Sequence, residues 1–401
     1  MDSVDFKKNR LCVNDIIIAL LIFLGAMNIY LFGIYLFAAA SIYILLVHKS
    51  IKIPSQILPI FIFTVIYFIF VLANPNVGVT SSIKIFVCPL VWLAGYTLLR
   101  DKNINRLILI ILSACMGMAV HGVLNFIYNL RIGTVFYEGK SYDVWSNSLS
   151  AATGQAINFS LLAAVLMWGL FMQKNLILKL VVSALYIAAF VYNIMIGGRS
   201  FVILTLLGIV IPLIIYSFIG NNKIFVKKVI PIILTVVAIL AIIWVMYENN
   251  VFGMQDAFES SYFYRRFFSD ISQQEITNDS RFDRKLLYFQ HMLDYPFGGN
   301  HLRNELGIGY SHDLWLDVFD DAGIFAYIAL WIYTISAGIR TVKFALNKRI
   351  TPELRVLIST IFAISFIQFF VEPILQGAPM MFYSILIIDG MLMAYSIRSN
   401  E

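Results

Sequence analysis

Residues 200–219 read SFVILTLLGIVIPLIIYSFI, a stretch without a charged side chain. Wound into an α-helix, this stretch would be about 30 Å long, which matches the hydrocarbon thickness of a bilayer. Similar runs recur along all 401 residues, of which 60% are hydrophobic and 13% charged. Soluble domains are about half apolar and about a quarter charged. The composition therefore excludes a water-soluble globular protein.

These apolar runs lack the period-two alternation of membrane barrel strands, whereas helices satisfy their backbone hydrogen bonds internally. We therefore predict an all-α fold, a polytopic transmembrane helix bundle of about 12 helices with a large periplasmic loop containing an amphipathic helix. The run 15–47 should form two short helices, broken near Gly25 to Gly33. Further spans are predicted at 55–73, 82–99, 107–129, 152–172, 176–196, 200–219, 226–247, 322–342, 354–371 and 378–396.

Charge distribution predicts the orientation of the chain. With the N-terminus inside, most of the 29 Lys and Arg residues fall in cytoplasmic segments, whereas most of the acidic residues fall outside. This predicts an inner-membrane protein with cytoplasmic N- and C-termini. It has about nine helices in 1–247, a periplasmic loop at 248–312 and about three helices in 313–401. The net charge of +6 is then a topology signal and does not indicate nucleic-acid binding.

The large loop contains an amphipathic segment that starts near Ser280 and ends before Pro296. Its apolar residues share one face at the 3.6-residue period of a helix, and they are Phe282, Leu286, Phe289 and Leu293. Arg281, Arg284, Lys285 and Tyr288 lie off that face. We expect such a helix to rest on the bilayer surface or to cap the bundle.

Several arginines could bind an anion. Arg199 lies between two apolar runs in Ile196-Gly197-Gly198-Arg199-Ser200, where it could equally contact lipid phosphate as an ordinary interfacial residue. The paired glycines would leave room for a ligand. The loop arginines are Arg265, Arg266, Arg281 and Arg284. They form either a solvated basic face or a clamp for phosphate oxygens, which guanidinium groups bind bidentately.

His312 lies where the loop re-enters the membrane, in Tyr310-Ser311-His312-Asp313-Leu314-Trp315. Such a His-Asp pair is either a capped helix start or a site for proton transfer, since histidine titrates near neutral pH. Asp317, Asp320 and Asp321 follow closely. They fit either a helix-end turn or a divalent-metal site, and we predict no metal.

Three short segments together resemble the bacterial O-antigen ligase and O-antigen polymerase superfamily. They are Gly197-Gly198-Arg199-Ser200; Ser280-Arg281-Phe282 with Tyr295-Pro296-Phe297-Gly298-Gly299; and Ser311-His312-Asp313-Leu314-Trp315-Leu316 with Ala322-Gly323-Ile324. The similarity covers roughly residues 185 to 335. Many members have His-Asn where this chain has His312-Asp313, and an aromatic residue a few positions after the loop arginine.

The resemblance implies a metal-independent, inverting glycosyltransferase that uses an undecaprenyl-pyrophosphate-linked glycan and needs no cofactor. His312, Arg281 and Arg199 would be catalytic, while Arg265, Arg266, Arg284 and Asp313 would bind the diphosphate or the sugar. The implied partners are the lipid-linked oligosaccharide, membrane lipid, and a chain-length regulator or other glycan-assembly proteins.

Other functions remain open at this level. A polymerase, whose acceptor is a sugar on another lipid-linked repeat, is favoured over a ligase, which transfers the glycan to lipid A core. A lipid-linked oligosaccharide flippase would also need many spans, but we find no repeated halves. A metal-dependent glycosyltransferase would use early external carboxylates such as Glu138 and Asp143.

Overall fold

The computed structural model describes residues 11–48, 51–74, 77, 79–133, 139–219, 230, 234, 238, 241–242, 244–259, 261–268 and 280–397. These residues are almost entirely helical, and their only sheet is a two-stranded hairpin. The predicted all-α class is confirmed. The hairpin pairs β1 (Lys140–Tyr142) with β2 (Leu149–Ala151), and the sequence did not predict it.

Most of the apolar runs form helices, but the predicted spans 82–99 and 152–172 are each divided between two helices. They are α1 (Val13–Ala26), α2 (Gly33–Val47), α3 (Leu58–Ala73), α4 (Val79–Phe86), α5 (Cys88–Leu98), α6 (Ile104–Arg131), α7 (Ala152–Ile157), α8 (Ser160–Met167), α9 (Leu176–Met195), α10 (Arg199–Ile219), α11 (Met254–Glu259), α12 (Tyr262–Phe268), α13 (Ser280–His291), α14 (His301–Leu306), α15 (Leu314–Leu346), α16 (Pro352–Val371), α17 (Ile374–Gly377) and α18 (Pro379–Ile397). The expected break in the run 15–47 falls between α1 and α2.

Among the described residues, seven helices are long and apolar enough to cross a membrane. They correspond to α3 with the turn before it, α6, α9, α10, α15, α16 and α18. Four shorter apolar helices lie at Val13–Ala26, Gly33–Val47, Ile83–Leu98 and Ser160–Met172. The predicted span 226–247 lies largely outside the described residues. A polytopic helical membrane protein follows, while the number twelve, the orientation and the three-region division stay predictions.

Two compact units make up the chain. The first contains the described residues of Met1–His121, Ser280–Phe344 and Ser365–Glu401; the second contains those of Gly122–Asp279 and Ala345–Ile364. In the first unit α18 is almost wholly buried and crosses α5 at two glycines. A Cβ on Gly95 would lie 2.1 Å from the Ile387 carbonyl oxygen, and one on Gly390 would lie 2.1 Å from that of Trp92. Small residues thus bring the two backbones into contact, as is common between helices of membrane proteins.

Helix α15 differs from the predicted span 322–342 because it begins already at Leu314 and is broken at Gly323. Gly323 has φ 79° and ψ −176°, a combination that is essentially restricted to glycine. The break separates a short, buried segment, Leu314–Ala322, from the longer apolar segment that follows. It therefore places the aspartates of the short segment inside the first unit.

The second unit contains α7 to α12, the hairpin and the first part of α16. Helices α8 and α10 pack closely at Gly208, where a Cβ would lie 2.4 Å from the Ala163 carbonyl oxygen. Tyr216 of α10 and Val356 of α16 form a buried cluster. Asp143 accepts hydrogen bonds from the Trp145 and Ser146 amides, so this carboxylate stabilises the hairpin turn.

Candidate functional site

The exit turn, Tyr310–Asp313, precedes α15 and contains the predicted base. His312 is half-buried and has φ 56°, in the left-handed region that few side chains adopt. Such a conformation costs about 1–3 kcal/mol and persists only where the surroundings enforce it. The chain therefore changes direction sharply at His312.

Asp313 stabilises this turn by capping the start of α15. Its Oδ1 accepts hydrogen bonds from the Trp315 and Leu316 amides, at 3.0 and 3.1 Å. This is the geometry of a helix N-cap, which satisfies amides that have no partner within the helix. Of the two interpretations of the His-Asp pair, the capped helix start is confirmed for Asp313. Capping does not exclude a role for His312.

Ser311 holds the turn from the other side. Both its amide and its hydroxyl donate to Asp317 Oδ1, at 3.1 and 2.7 Å. Ser311 and Asp317 are both buried. His312 thus lies between Ser311 and Asp313, whose side chains are fixed by hydrogen bonds. Hydrogen bonds to the neighbours of a functional group help to keep that group in place.

Helix α13 is attached to the exit turn by its basic residues. Arg284 Nη1 donates a hydrogen bond to the Tyr310 carbonyl oxygen at 3.1 Å. Lys285 lies 3.7 Å from Asp313 Oδ2 and donates to the Phe370 carbonyl oxygen. Arg281 Nη1 lies 3.7 Å from Glu372 Oε1 at the end of α16. The residues predicted to lie off the apolar face therefore fix α13 to the rest of the first unit.

Burial and charge act in opposite directions on Asp313. Burial raises the pKa of this carboxyl group above its ordinary value, whereas the Leu316 amide, the Lys285 ammonium group and the Trp315 amide act to lower it. Lys285 was not predicted as a site residue. Its signal in the sequence is its position one turn after Arg281, on the same side of α13.

The glycine motifs of the loop and of α15 contact each other. A Cβ on Gly298 would lie 2.4 Å from the Gly323 amide nitrogen, and a Cβ on Gly323 would lie 2.5 Å from the Pro296 carbonyl oxygen. The Ile324 amide donates to that same Pro296 oxygen at 2.8 Å. The segments Tyr295–Gly299 and Ala322–Ile324, quoted above as two separate matches, therefore form one packed structure.

The aspartates after the exit turn have side-chain partners. Asp320 Oδ2 lies 3.4 Å from Arg303 Nε, and the Arg303 guanidinium stacks over the Tyr310 ring at 4.5 Å. Asp321 Oδ2 accepts from the Tyr67 hydroxyl at 2.8 Å and from Gln376 at 3.2 Å. These partners come from other segments of the chain, so a helix-end turn alone does not account for the contacts. Among the described residues, no group of three or more His, Cys, Asp or Glu side chains is arranged to hold a metal.

Arg303 is a second residue that the sequence analysis missed. Burial acts to lower the pKa of its guanidinium, but the neighbouring Asp320 carboxylate and the Tyr310 hydroxyl outweigh burial, and the pKa is raised. Arg303 therefore stays charged beside the exit turn. Its position in α14, directly after the glycine motif, is the only signal that the sequence offered.

Of the predicted site residues, Arg281, Arg284, His312 and Asp313 lie in the first unit and are connected by the contacts above. The other three lie in the second unit. Arg265, in α12, is exposed and stacks over Tyr262 at 5.8 Å, and Arg266 is in the same helix. Arg199 begins α10 and is half-buried. A common site for Arg199, Arg281 and His312 stays a prediction.

The glycines before Arg199 have a structural explanation. Gly197 has φ 65° and ends the turn between α9 and α10. The Gly198 amide donates to the Asn193 carbonyl oxygen at 2.7 Å, and a Cβ on Gly198 would lie 2.7 Å from Asn193 Oδ1. The expected space for a ligand at Gly198 is therefore occupied by the Asn193 side chain. The tight turn alone requires both glycines.

Comparison with known proteins adds no family to these observations. No protein-family model matches the chain, and no curated protein matches it significantly.

Proposed function

We propose that this chain is an inner-membrane glycosyltransferase that polymerises oligosaccharide repeat units linked to undecaprenyl pyrophosphate. The acceptor would be a sugar hydroxyl on a second lipid-linked repeat. The observation that carries the proposal is the connection between α13 and the exit turn. Through Arg284 and Lys285, one basic helix is fixed directly to the residues on either side of His312.

The proposed chemistry is a single displacement at the anomeric carbon of the donor. The acceptor oxygen forms a bond to that carbon while the bond to the diphosphate oxygen breaks, and the electron pair leaves with undecaprenyl pyrophosphate. The acceptor proton passes to His312. A positioned base of this kind contributes about 10²- to 10⁴-fold in rate. Attack opposite the leaving group inverts the anomeric configuration.

The leaving diphosphate needs positive charge more than it needs a proton, and guanidinium groups supply charge at every physiological pH. Arg281 suits this role because its side chain is partly exposed and its contact with Glu372 is long, at 3.7 Å. A diphosphate oxygen could replace the Glu372 carboxylate as its partner. Arg284, in the same helix, would bind the diphosphate or the sugar, whereas the roles expected for Arg199, Arg265 and Arg266 stay predictions.

The test replaces His312, Arg281 and Arg199 singly by alanine in cells that depend on this chain, and examines the lipopolysaccharide ladder. His291→Ala is the matched control for histidine, since His291 lies at the end of α13 and pairs with the exposed Asp294. Arg349→Ala, at an exposed position, is the control for arginine. Each site variant should lose long chains, whereas both controls should keep them.

The pattern of loss separates the two acceptors. Cells that retain single repeats on the core but lack every longer chain contain a polymerase defect. Loss of all repeats from the core would instead identify a ligase that uses lipid A core as acceptor. A wild-type ladder from all three site variants would reject the assignment of the site.

A further inference from the structure

The apolar face of α13 is directed away from the protein. Phe282 and Phe289 are 70% and 57% exposed, and Leu293, just beyond the helix end, is 78% exposed. Leu286 lies on the same face and is about half exposed. An amphipathic helix of a soluble domain buries this face and exposes its charges. In α13 the arrangement is reversed.

The orientation of α13 is fixed by contacts on its other side. Arg281, Arg284 and Lys285 each bind a carboxylate or a carbonyl oxygen of the first unit, as described above. Tyr288, one turn further along, is completely buried and packs in a cluster with Leu302 and Phe319. Four inward residues at spacings of three and four therefore prevent rotation of the apolar face toward the protein.

A third side of α13 is polar and faces solvent. Asp283 and Gln290 are exposed, and on a helix they lie roughly 90° around the axis from the apolar face. Asp294, after the helix end, is exposed as well. The helix thus has one side bound to protein, one apolar side and one polar side. Helices that lie in the plane of a membrane interface show this combination of apolar and polar sides.

Just after α13, an exposed aromatic residue contacts a helix that is long enough to span a membrane. Phe297, six residues after the helix end, is 60% exposed and stacks on Phe70 of α3. Phe70 also stacks on Phe325 of α15, with ring centroids 5.9 Å apart. Phe325 begins a row of roughly half-exposed residues at helical spacing, which continues with Ile328, Ile332, Ile335, Ile339 and Val342.

This row is the face that α15 presents to lipid if the helix crosses the bilayer, because its members lie on one side of a candidate span and are about half exposed. The exposed residues of α13 therefore extend a lipid-facing surface. A soluble partner protein would have to cover part of the same surface that the hydrocarbon covers.

We propose that α13 lies in the outer interfacial zone of the bilayer, with Phe282, Leu286, Phe289 and Leu293 among the acyl chains. The partner is the bilayer hydrocarbon itself. Asp283 and Gln290 then contact water, while Arg281, Arg284 and Lys285 connect the helix to the exit turn. The membrane surface thereby becomes one of the supports that hold His312 in place. This placement goes beyond the proposed glycosyl transfer and does not require it.

Site-directed spin labelling tests the placement on neighbouring positions of one helix. The full chain carries Cys12→Ser, because Cys12 is exposed, whereas Cys88 and Cys115 are buried. A label is attached at Phe289→Cys or, as the matched control, at Gln290→Cys. The protein is reconstituted in vesicles of phosphatidylethanolamine and phosphatidylglycerol. Collision rates with oxygen, which concentrates in hydrocarbon, are compared with those for a water-soluble nickel chelate.

The ratio of oxygen to nickel collisions should be several-fold higher at Phe289→Cys than at Gln290→Cys. The pair Phe282→Cys and Asp283→Cys should show the same contrast, and it replaces the first pair if either of those variants fails to fold. Equal ratios at neighbouring positions would overturn the proposal. Low collision rates with both reagents at Phe289→Cys would also overturn it, since they would mean that a second copy or another protein covers the face.

Discussion

Two buried polar networks in the first unit differ in how completely they are satisfied. In the first, which we call the Asp389 network, Arg340 binds both oxygens of Asp389 at 2.7 and 2.6 Å. Trp92 and Tyr333 donate to the same carboxylate at 2.8 and 3.1 Å. The Asp389 carboxylate thus accepts four hydrogen bonds, and this network fixes α5, α15 and α18 to one another.

The exit turn is the second network, and it is less complete. Asp317 accepts two hydrogen bonds from Ser311 on Oδ1, but its buried Oδ2 has no partner among the described residues. His312 adopts a strained backbone conformation, and the ion pairs of Lys285 and Arg281 are 3.7 Å long. A buried polar group without a partner is costly. The difference indicates that the Asp389 network serves stability, whereas a binding role for the exit turn stays a prediction.

The largest effect on stability should come from breaking the Asp389 network. Arg340→Met leaves the Asp389 carboxylate buried without its counter-charge, and we expect a loss of about 3–5 kcal/mol. The melting temperature of the purified protein in detergent measures this loss. The double variant Arg340→Met with Asp389→Leu removes both charges and should recover most of it. A single variant as stable as the wild type would show that the network is not a structural anchor.

Gly323→Ala should have a smaller effect that tests the connection between α15 and the exit turn. Alanine does not adopt the backbone angles of Gly323, and its Cβ would overlap the Pro296 carbonyl oxygen. We expect a loss of about 1–3 kcal/mol in the free energy of unfolding, together with reduced glycan transfer. Thermal unfolding and ladder analysis of the same variant measure both effects.

Gly338→Ala is the matched control, because Gly338 is in the same helix and a Cβ there would contact nothing. Alanine favours a helix over glycine by about 1 kcal/mol, so this variant should be at least as stable as the wild type. If both glycine variants behaved alike, the contact between the glycine motif and α15 would not matter for stability.

The smallest effect concerns pH. Burial raises the pKa of Asp313, so between its ordinary value of 3.8 and the raised value the folded chain binds a proton that the unfolded chain has lost. Stability from this group therefore falls as the pH rises through that window. Asp313→Asn keeps a capping oxygen and removes the titration.

Melting temperatures measured at pH 7 and pH 4.5 test the direction of this pH dependence of stability. The wild type should gain stability relative to Asp313→Asn as the pH is lowered. A relative loss at the lower pH would mean that the Lys285 ion pair dominates over burial at the exit turn.

The sequence predicted the parts of this protein that depend on local pattern. Apolar runs located the helices, and the period of Phe282, Leu286 and Phe289 identified the apolar face of α13. The start of α13 at Ser280 was also predicted. These features follow from hydrophobicity and helical geometry over a few residues, and no distant contact is needed to infer them.

Features that depend on distant pairing were not predictable. Arg106 directly precedes the predicted span 107–129 and Arg340 lies near the end of the predicted span 322–342, yet Arg340 is buried against Asp389, and Arg106 is buried against Asp15 at 2.6 Å. Asp389 and Asp15 lie far away in the sequence from these arginines and carry no local signal. Similarly, the roles of Lys285 and Arg303 emerged only when α13, α14 and α15 were seen together.

The most direct measurement of the central claim is the rate of glycan transfer by the purified full chain, reconstituted with a lipid-linked oligosaccharide as both donor and acceptor. The rate of His312→Ala should fall by about 10²-fold or more, while its melting temperature stays close to that of the wild type. His291→Ala should retain the wild-type rate. A wild-type rate from a well-folded His312→Ala protein would contradict the account.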